Sequence, residues 1–198
     1  MTRHRLDSLL LARGLAETKS KAQALVMAGE VSVNGQVVTK PGRLVSQDVN
    51  LQIAEKLPYV SRGGIKLAFA LDEFKLDVTS LVVMDVGAST GGFTDCLLQQ
   101  GAKRVYAIDV GYGQLDYKLR NDHRVAVMER VNARYPFLLP EKVNMATIDL
   151  SFISVTKVIP NIMRHLTCPG FLLILFKPQF EAKRKEVGKK GIIKDPVV

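Results

Sequence analysis

The chain has no tryptophan, only two cysteines and only 7% aromatic residues among its 198 positions. Cys96 and Cys168 lack CxxC spacing, which argues against a disulfide scaffold or a zinc ribbon and for a reducing, cytoplasmic setting. No metal site is expected. No apolar run approaches the roughly 18 to 20 residues of a membrane span; the longest, Phe171 to Phe176, has six residues. The N-terminal apolar stretch, Leu9 to Ala12, is too short for a secretory signal. Acidic residues are in the minority, 19 against 28 Lys and Arg, leaving a net charge of +9. That surplus favours a polyanionic partner, nucleic acid or acidic lipid, without choosing between them. It is spread evenly, with 8 basic against 5 acidic residues over 1–60, 14 against 11 over 61–180 and 6 against 3 over 181–198. Only the last stretch is dense, and its Lys183-Arg184-Lys185 and Lys189-Lys190 fit a solvated loop equally well. With 47% hydrophobic and 24% charged residues, the chain reads as globular: one medium domain, or one domain and a small module.

The first part reads as helices followed by a hairpin. Leu6, Leu9, Leu10 and Arg13 share a helical face that stops at Gly14. A second helix is expected from Ser20, with Gln23 as its capping-box partner, ending at Gly29. Val31, Val33, Asn34-Gly35 and Val37 predict a tight hairpin, because Asn-Gly supplies the two positive φ angles of a type I′ turn. Pro41-Gly42 is another turn, and Val49, Leu51 and Ile53 alternate as a strand. Arg3, Arg5 and Arg13 flank the first helix, and Lys19 and Lys21 open the second, where the backbone dipole favours an anion. With Arg43 they form a candidate phosphate-binding set, against the plainer possibility of solvated charge.

Arg5-Leu6-Asp7, Leu9-Leu10, Gly14-Leu15, the run Ser20 to Val26 and the run Gly29 to Gly35 resemble the RNA-binding domain of ribosomal protein S-four. The resemblance implies binding of structured RNA on the two-helix face. It gives a domain over 1–58, a linker over 59–64 broken by Gly63-Gly64, and a second domain over 65–198. That second domain opens with an amphipathic helix through Leu67, Ala70, Leu71 and Phe74.

Strands and helices then alternate. Leu81 to Val86, Arg104 to Val110, Val125 to Met128, Val143 to Ile148 and Gly170 to Phe176 read as strands. Phe93 to Gln100 and Val155 to Leu166 read as helices. This predicts an α/β fold: a parallel sheet with right-handed crossovers and helices on both faces, behind the small α+β module. Such sheets bind ligands at the C-terminal ends of their strands. Those ends carry Asp85 with the turn Gly87 to Phe93, then Asp109, Asn132, Asp149 and Lys177. An acidic residue ending the second strand suits a nucleoside's ribose hydroxyls. A dinucleotide fingerprint is disfavoured, since the turn reads GxxxGG rather than GxGxxG.

The turn Asp85-Val86-Gly87-Ala88-Ser89-Thr90-Gly91-Gly92-Phe93 resembles the cofactor motif of Rossmann-like S-adenosylmethionine-dependent methyltransferases, above all the FtsJ-type ribose methyltransferases. That likeness implies S-adenosylmethionine held by Asp85, Gly87, Ser89, Thr90, Gly91, Gly92 and Phe93, its ribose at Asp109 and its adenine near Asn132. Taken with Ser61 to Leu67, Asp149-Leu150-Ser151-Phe152 and Phe176 to Glu181, the whole is similar to the TlyA family of ribosomal RNA 2′-O-methyltransferases, often also labelled hemolysins. The family resemblance implies a catalytic set of Lys66, Asp149 and Lys177 and, as partner, ribosomal RNA or ribosomal subunits. A ribose hydroxyl needs a base, and burial beside a second cation would turn a lysine into one. The family's fourth member, a glutamate, belongs to a later strand; Glu181 and Glu186 come too early to match it. The last strands of the usual sheet are also missing, so the chain reads as C-terminally incomplete, with an unprotected sheet edge, reduced stability and reduced activity. Two rival functions are a membrane-active cytolysin, which would need an amphipathic or spanning segment, and an RNA-binding protein that has lost catalysis.

Overall fold

The computed structural model describes residues 3–54, 57–184, 186–188 and 191–193. Lys185, Lys189 and Lys190 of the basic C-terminal stretch lie outside them. The chain divides into two compact units, Met1–Lys56 and Leu57–Val198.

In the first unit, strand β1 (Arg3–Arg5) leads into helix α1 (Leu6–Ala12), and α2 (Lys19–Met27) packs against it. Strands β2 (Val31–Val33) and β3 (Gln36–Val37) form the expected hairpin, with Asn34 at φ 50° and Gly35 at φ 80°. β4 (Leu44–Ser46) pairs antiparallel with β1, and β5 (Leu51–Ile53) pairs antiparallel with β2. The β1–β4 pair is not legible in the sequence: Arg3-His4-Arg5 and Leu44-Val45-Ser46 are three-residue strands, too short to show an alternation. Leu6, Leu10, Ala22, Val26 and Val31 are fully buried and form the core. α2 begins one residue before Ser20. Thr18 caps it, its Oγ1 accepting from the Lys21 N–H at 3.1 Å. From that cap Gln23 lies beyond reach of a capping box; its amide donates instead to Asp7 at 3.0 Å.

Asp7 ties this unit together. Its side chain is fully buried and accepts from Arg5 Nε (3.1 Å), Arg5 Nη2 (2.8 Å) and the Ser8 N–H (2.9 Å), besides Gln23. The Arg5 guanidinium beside it holds the carboxyl well below the usual carboxylate range, against the opposing effect of burial.

The second unit begins with α3 (Arg62–Glu73). It opens three residues before the expected Ile65, so Gly63 and Gly64 fall in its first turn rather than in a linker. A side chain at 64 would lie 2.4 Å from the Tyr59 ring, so the absence of one lets the preceding segment pack onto the helix. Then follow β6 (Val82–Val86), α4 (Gly92–Gln99), β7 (Arg104–Ile108), α5 (Tyr117–Arg120), β8 (Val125–Met128) and β9 (Val143–Ile148). After a 3-10 turn at Val155–Lys157 come α6 (Ile159–Met163), β10 (Leu166–Ile174) and α7 (Pro178–Glu181). The single helix expected over Val155 to Leu166 is thus divided, with Pro160 at the start of α6. The last strand starts earlier than expected, at Leu166, with an irregularity before Phe171 around Pro169.

Among the described residues the sheet has five parallel strands in the order β10-β9-β6-β7-β8. Period-two alternation divides its core. Val83, Val105, Ala107 and Met145 pack with Leu67, Leu97 and Leu119 of the helices on one face. Met84, Val86, Tyr106, Ile108, Ala146 and Ile148 pack with Val158 and Ile162 on the other. Each fully buried leucine or isoleucine contributes about 1.5–3 kcal/mol. The order reverses between β6 and β9, the switch point at which such sheets leave a crevice beyond their strand ends.

Asp7→Ala should destabilise the protein at neutral pH by about 1–3 kcal/mol, measured by denaturant unfolding; half-exposed Arg5 can recover its hydration, which keeps the loss below that of a stranded buried charge. Because the Asp7 carboxyl is depressed in the folded state, its contribution is complete above the ordinary value of 3.8 and is lost as pH falls below it. Asp7→Asn should therefore unfold with a weaker acid dependence than the parent chain.

Candidate active site

β6 leads directly into a tight turn. Gly87 takes φ 87°, and a Cβ there would lie 2.4 Å from the Asp149 carbonyl oxygen. The exits of β6 and β9 therefore run side by side, with the Asp149 N–H donating to the Val86 carbonyl at 3.0 Å. Across the turn, Asp109 at the end of β7 accepts from the Ser89 N–H (2.8 Å) on one carboxylate oxygen and from the Gly111 N–H (2.7 Å) on the other. Each oxygen keeps a lone pair for a further donor.

Two adjoining cavities open above these strand ends. One, of about 560 Å³, is lined by Gly87, Ser89, Asp109, Asn132, Arg134, Asp149 and Phe152 among others. The other, of about 530 Å³, is lined by Ser61, Arg62, Lys66, Thr90, Gly92, Phe93 and Asp149 among others. Gly87, Ser89 and Asp149 border both. The Lys177 amine lies 2.5 Å from Asp149 Oδ1 and donates to Ser151 Oγ at 3.0 Å. The contact with Asp149 is an ion pair without hydrogen-bond alignment: among the described residues Oδ1 has no hydrogen-bond partner. Lys177 thus contacts Asp149 directly and borders neither cavity, whereas Lys66 shares with Asp149 only the lining of the second cavity.

Two expected cofactor residues, Asp85 and Gly91, border neither cavity, and two expected RNA-binding residues, Arg5 and Arg13, are exposed but also bonded within the first unit. Asp85 is fully buried beneath the turn and borders neither cavity. Its carboxylate accepts from Thr94 Oγ1 (2.6 Å) and Thr147 Oγ1 (3.1 Å), so it braces the turn from below. Burial pushes its carboxyl up to about 6, the two hydroxyls pulling the other way. Gly91, at φ 97°, faces Leu115 and Leu119 rather than the cavities; a Cβ would lie 2.3 Å from Leu119. Arg5 is engaged by Asp7, and the Arg13 guanidinium donates to the carbonyls of Val49 (2.7 Å) and Gln47, closing the loop before β5. Arg3, Lys19, Lys21 and Arg43 are exposed.

Of the other groups at the site, Ser61, Arg62 and Ser151 lie in motifs quoted above without a role of their own, and Gln114, Arg130 and Arg134 lie outside them. Ser61, Arg62 and Gln114 line the cavities, and Ser151 meets Lys177. Arg134 lies by the Tyr135 ring (5.8 Å), and Arg130 over the Tyr112 ring (4.4 Å). Isolated arginines and tyrosines in loops carry no spacing signal that would set them apart from ordinary surface.

The fold is a Rossmann-like parallel sheet with a glycine turn at its switch point, and comparison with known proteins defines the class. Residues 59–198 match the FtsJ-like methyltransferase family and residues 4–51 the S4 domain. The chain belongs to the FtsJ-like methyltransferase family. YqxC of Bacillus subtilis (strain 168) is 52% identical over 99% of this chain and 71% of its own length. Hemolysin A of Brachyspira hyodysenteriae is 46% identical over 98% and 82%. The 16S/23S rRNA (cytidine-2′-O)-methyltransferase TlyA of Mycobacterium tuberculosis (strain ATCC 25618 / H37Rv) is 42% identical over 98% and 74%. Within the wider family this is the TlyA group. A solved structure from Streptococcus thermophilus superposes with a TM-score of 0.70 at 45% identity, over 98% of this chain and 73% of that one.

Since the folded state holds the Asp85 proton more tightly than the unfolded chain does, stability should fall as pH rises from the ordinary 3.8 to about 6. Asp85→Asn should flatten that slope in unfolding measured across pH 4 to 7. Gly87→Ala should lower stability by about 2–4 kcal/mol, since it adds both backbone strain and a clash with Asp149; the midpoint of urea unfolding reads it.

Proposed function

We propose that the protein methylates a ribose 2′-hydroxyl of ribosomal RNA using S-adenosylmethionine, with Lys177 as the base. The observation that carries this reading is the Lys177–Asp149 ion pair, whose Asp149 borders a cavity also lined by Lys66 and by the glycine turn. The relatives' names point the same way, since the TlyA proteins of Mycobacterium tuberculosis and Campylobacter jejuni are named as rRNA (cytidine-2′-O)-methyltransferases.

The residues present fit the cofactor. Asp109, with a lone pair free on each oxygen, would take the ribose hydroxyls. Asn132 and its neighbours would border the adenine. The backbone of Gly87 to Gly92, with Phe93, would hold the amino-acid portion. When bound, the sulfonium supplies an electrophilic methyl group, so the protein itself need only activate and aim the hydroxyl. Lys177 would take the 2′-hydroxyl proton as the ribose oxygen bonds to the methyl group and the methyl–sulfur bond breaks. Asp149 and Ser151 fix the direction of that amine. Lys66, on the same cavity, places a positive charge beside the reacting oxygen. A positioned base is worth about 10²–10⁴-fold, and alignment of oxygen with methyl supplies much of the rest.

RNA would be gripped by exposed Arg3, Lys19, Lys21 and Arg43 of the first unit. The second unit offers the Arg130–Tyr112 and Arg134–Tyr135 pairs, cations interleaved with aromatic faces that suit phosphates and unstacked bases. The name of the Brachyspira relative favours a second reading, membrane lysis. No helix among the described residues is long and apolar enough to cross a membrane. Leakage of RNA-free liposomes by the pure protein would support lysis over methylation.

Lys177→Ala should lower methyl transfer to ribosomal RNA by about 10²–10⁴-fold while leaving cofactor binding, read by calorimetry, within a few-fold. Full transfer by a folded Lys177→Ala protein would refute the base assignment. Mapping ribose methylation in ribosomal RNA from cells with and without the protein identifies the nucleotide.

A further inference from the structure

We infer that Glu181 is a positioning residue for methyl transfer, holding the Asp149–Phe152 loop in register with the segment that carries Lys177. The inference rests on the assignment of Lys177 as base and adds a residue that touches neither cavity.

Two chain segments meet here after β9 and after β10. They are joined at successive points. Lys177 meets Asp149 and Ser151. The Phe180 and Phe152 rings lie near each other, centroids 5.2 Å apart, with Phe152 still largely exposed. Glu181 then closes the far end: one carboxylate oxygen accepts from the Val155 N–H at 2.9 Å, and the other from Ser154 Oγ at 2.5 Å. Lys177 and Glu181 bracket one turn of chain, since α7 starts at Pro178 and the Phe180 N–H donates back to the Lys177 carbonyl at 2.9 Å. A shift at Glu181 therefore moves Lys177.

The loop needs such a hold. Phe152 takes φ 66°, a conformation unfavourable for a bulky residue that persists only where its surroundings fix it. Its ring is 92% exposed, so core packing does not supply the constraint. Two strong acceptor contacts to the next residues, Ser154 and Val155, do. Without them the loop is free to leave the strained geometry, and Asp149 and Ser151 move relative to the Lys177 amine. In a reaction that depends on alignment, a displacement of about 1 Å costs on the order of 10²-fold.

Single-turnover methyl transfer to ribosomal RNA at saturating cofactor tests this, with cofactor and RNA affinities and the thermal midpoint measured alongside. For Glu181→Ala the rate constant should fall about 10–100-fold, with both affinities within about twofold. Glu181→Gln, which keeps an acceptor for the Val155 N–H, should recover most of the rate. Ser154→Ala should fall in between, because it removes one of the two Glu181 contacts, together with the Ser154 contacts to Thr156, and its effect should add less than fully to that of Glu181→Ala. A wild-type rate in Glu181→Ala, a loss confined to affinity, or no recovery in Glu181→Gln would overturn the inference. If Glu181→Ala does not fold, Ser154→Ala decides: a reduced rate constant at unchanged affinity supports the role, and an unchanged rate removes it. Lys177→Ala, assayed in parallel, separates the two claims. Full transfer there defeats the base assignment, whereas an inactive Lys177→Ala beside a fully active Glu181→Ala defeats only the role of Glu181.

Discussion

The contact between Gly87 and the backbone of Asp149 governs the second unit. Both parallel strands end at the same level, and only a residue without a side chain lets the first turn away over the second. The Asp149 N–H extends the ladder one step beyond β9 by donating to Val86. From that point the Asp149 side chain borders both cavities and meets Lys177. A bulkier turn would separate the proposed cofactor-binding residues from the proposed base.

The carboxylates around this contact divide the work by burial. Asp85 lies beneath the turn and is satisfied by two threonine hydroxyls. Asp109 is fastened by two backbone N–H groups yet reaches the cavity. Asp149 is paired to Lys177, the amine it is proposed to orient. The three share a residue type, and what differs is the number and kind of donors around each, which determines whether it stiffens, binds or orients.

The first unit uses the same economy with cations. Arg5 and Arg13 serve the fold, one beside the buried Asp7 and one across the carbonyls before β5. Arg3, Lys19, Lys21 and Arg43 remain exposed. A small unit with a modest core gains from giving structural duty to its arginines, whose planar guanidinium satisfies several acceptors at once.

Local signals in the sequence were sufficient where a short stretch of chain sets its own conformation. Asn34-Gly35 dictates its hairpin, the apolar runs dictate Val125–Met128 and Val143–Ile148 as strands, and strand–helix alternation dictates a parallel sheet with its polar residues at one rim. Order in space was beyond it. Nothing local distinguishes Asp85, sealed under the turn, from Asp109, open to the cavity. Nothing local tells that Gln23 reaches Asp7, that Asp85 meets Thr147, or that Glu181 reaches back to Ser154 and Val155. Those outcomes depend on partners distant along the chain, and in the second unit they are fixed only when strands β6, β9 and β10 lie side by side. The sequence by itself determined the kinds of element and the chemistry available at their ends; the tertiary structure decided which of those groups meet, because contact is a property of packing and not of spacing.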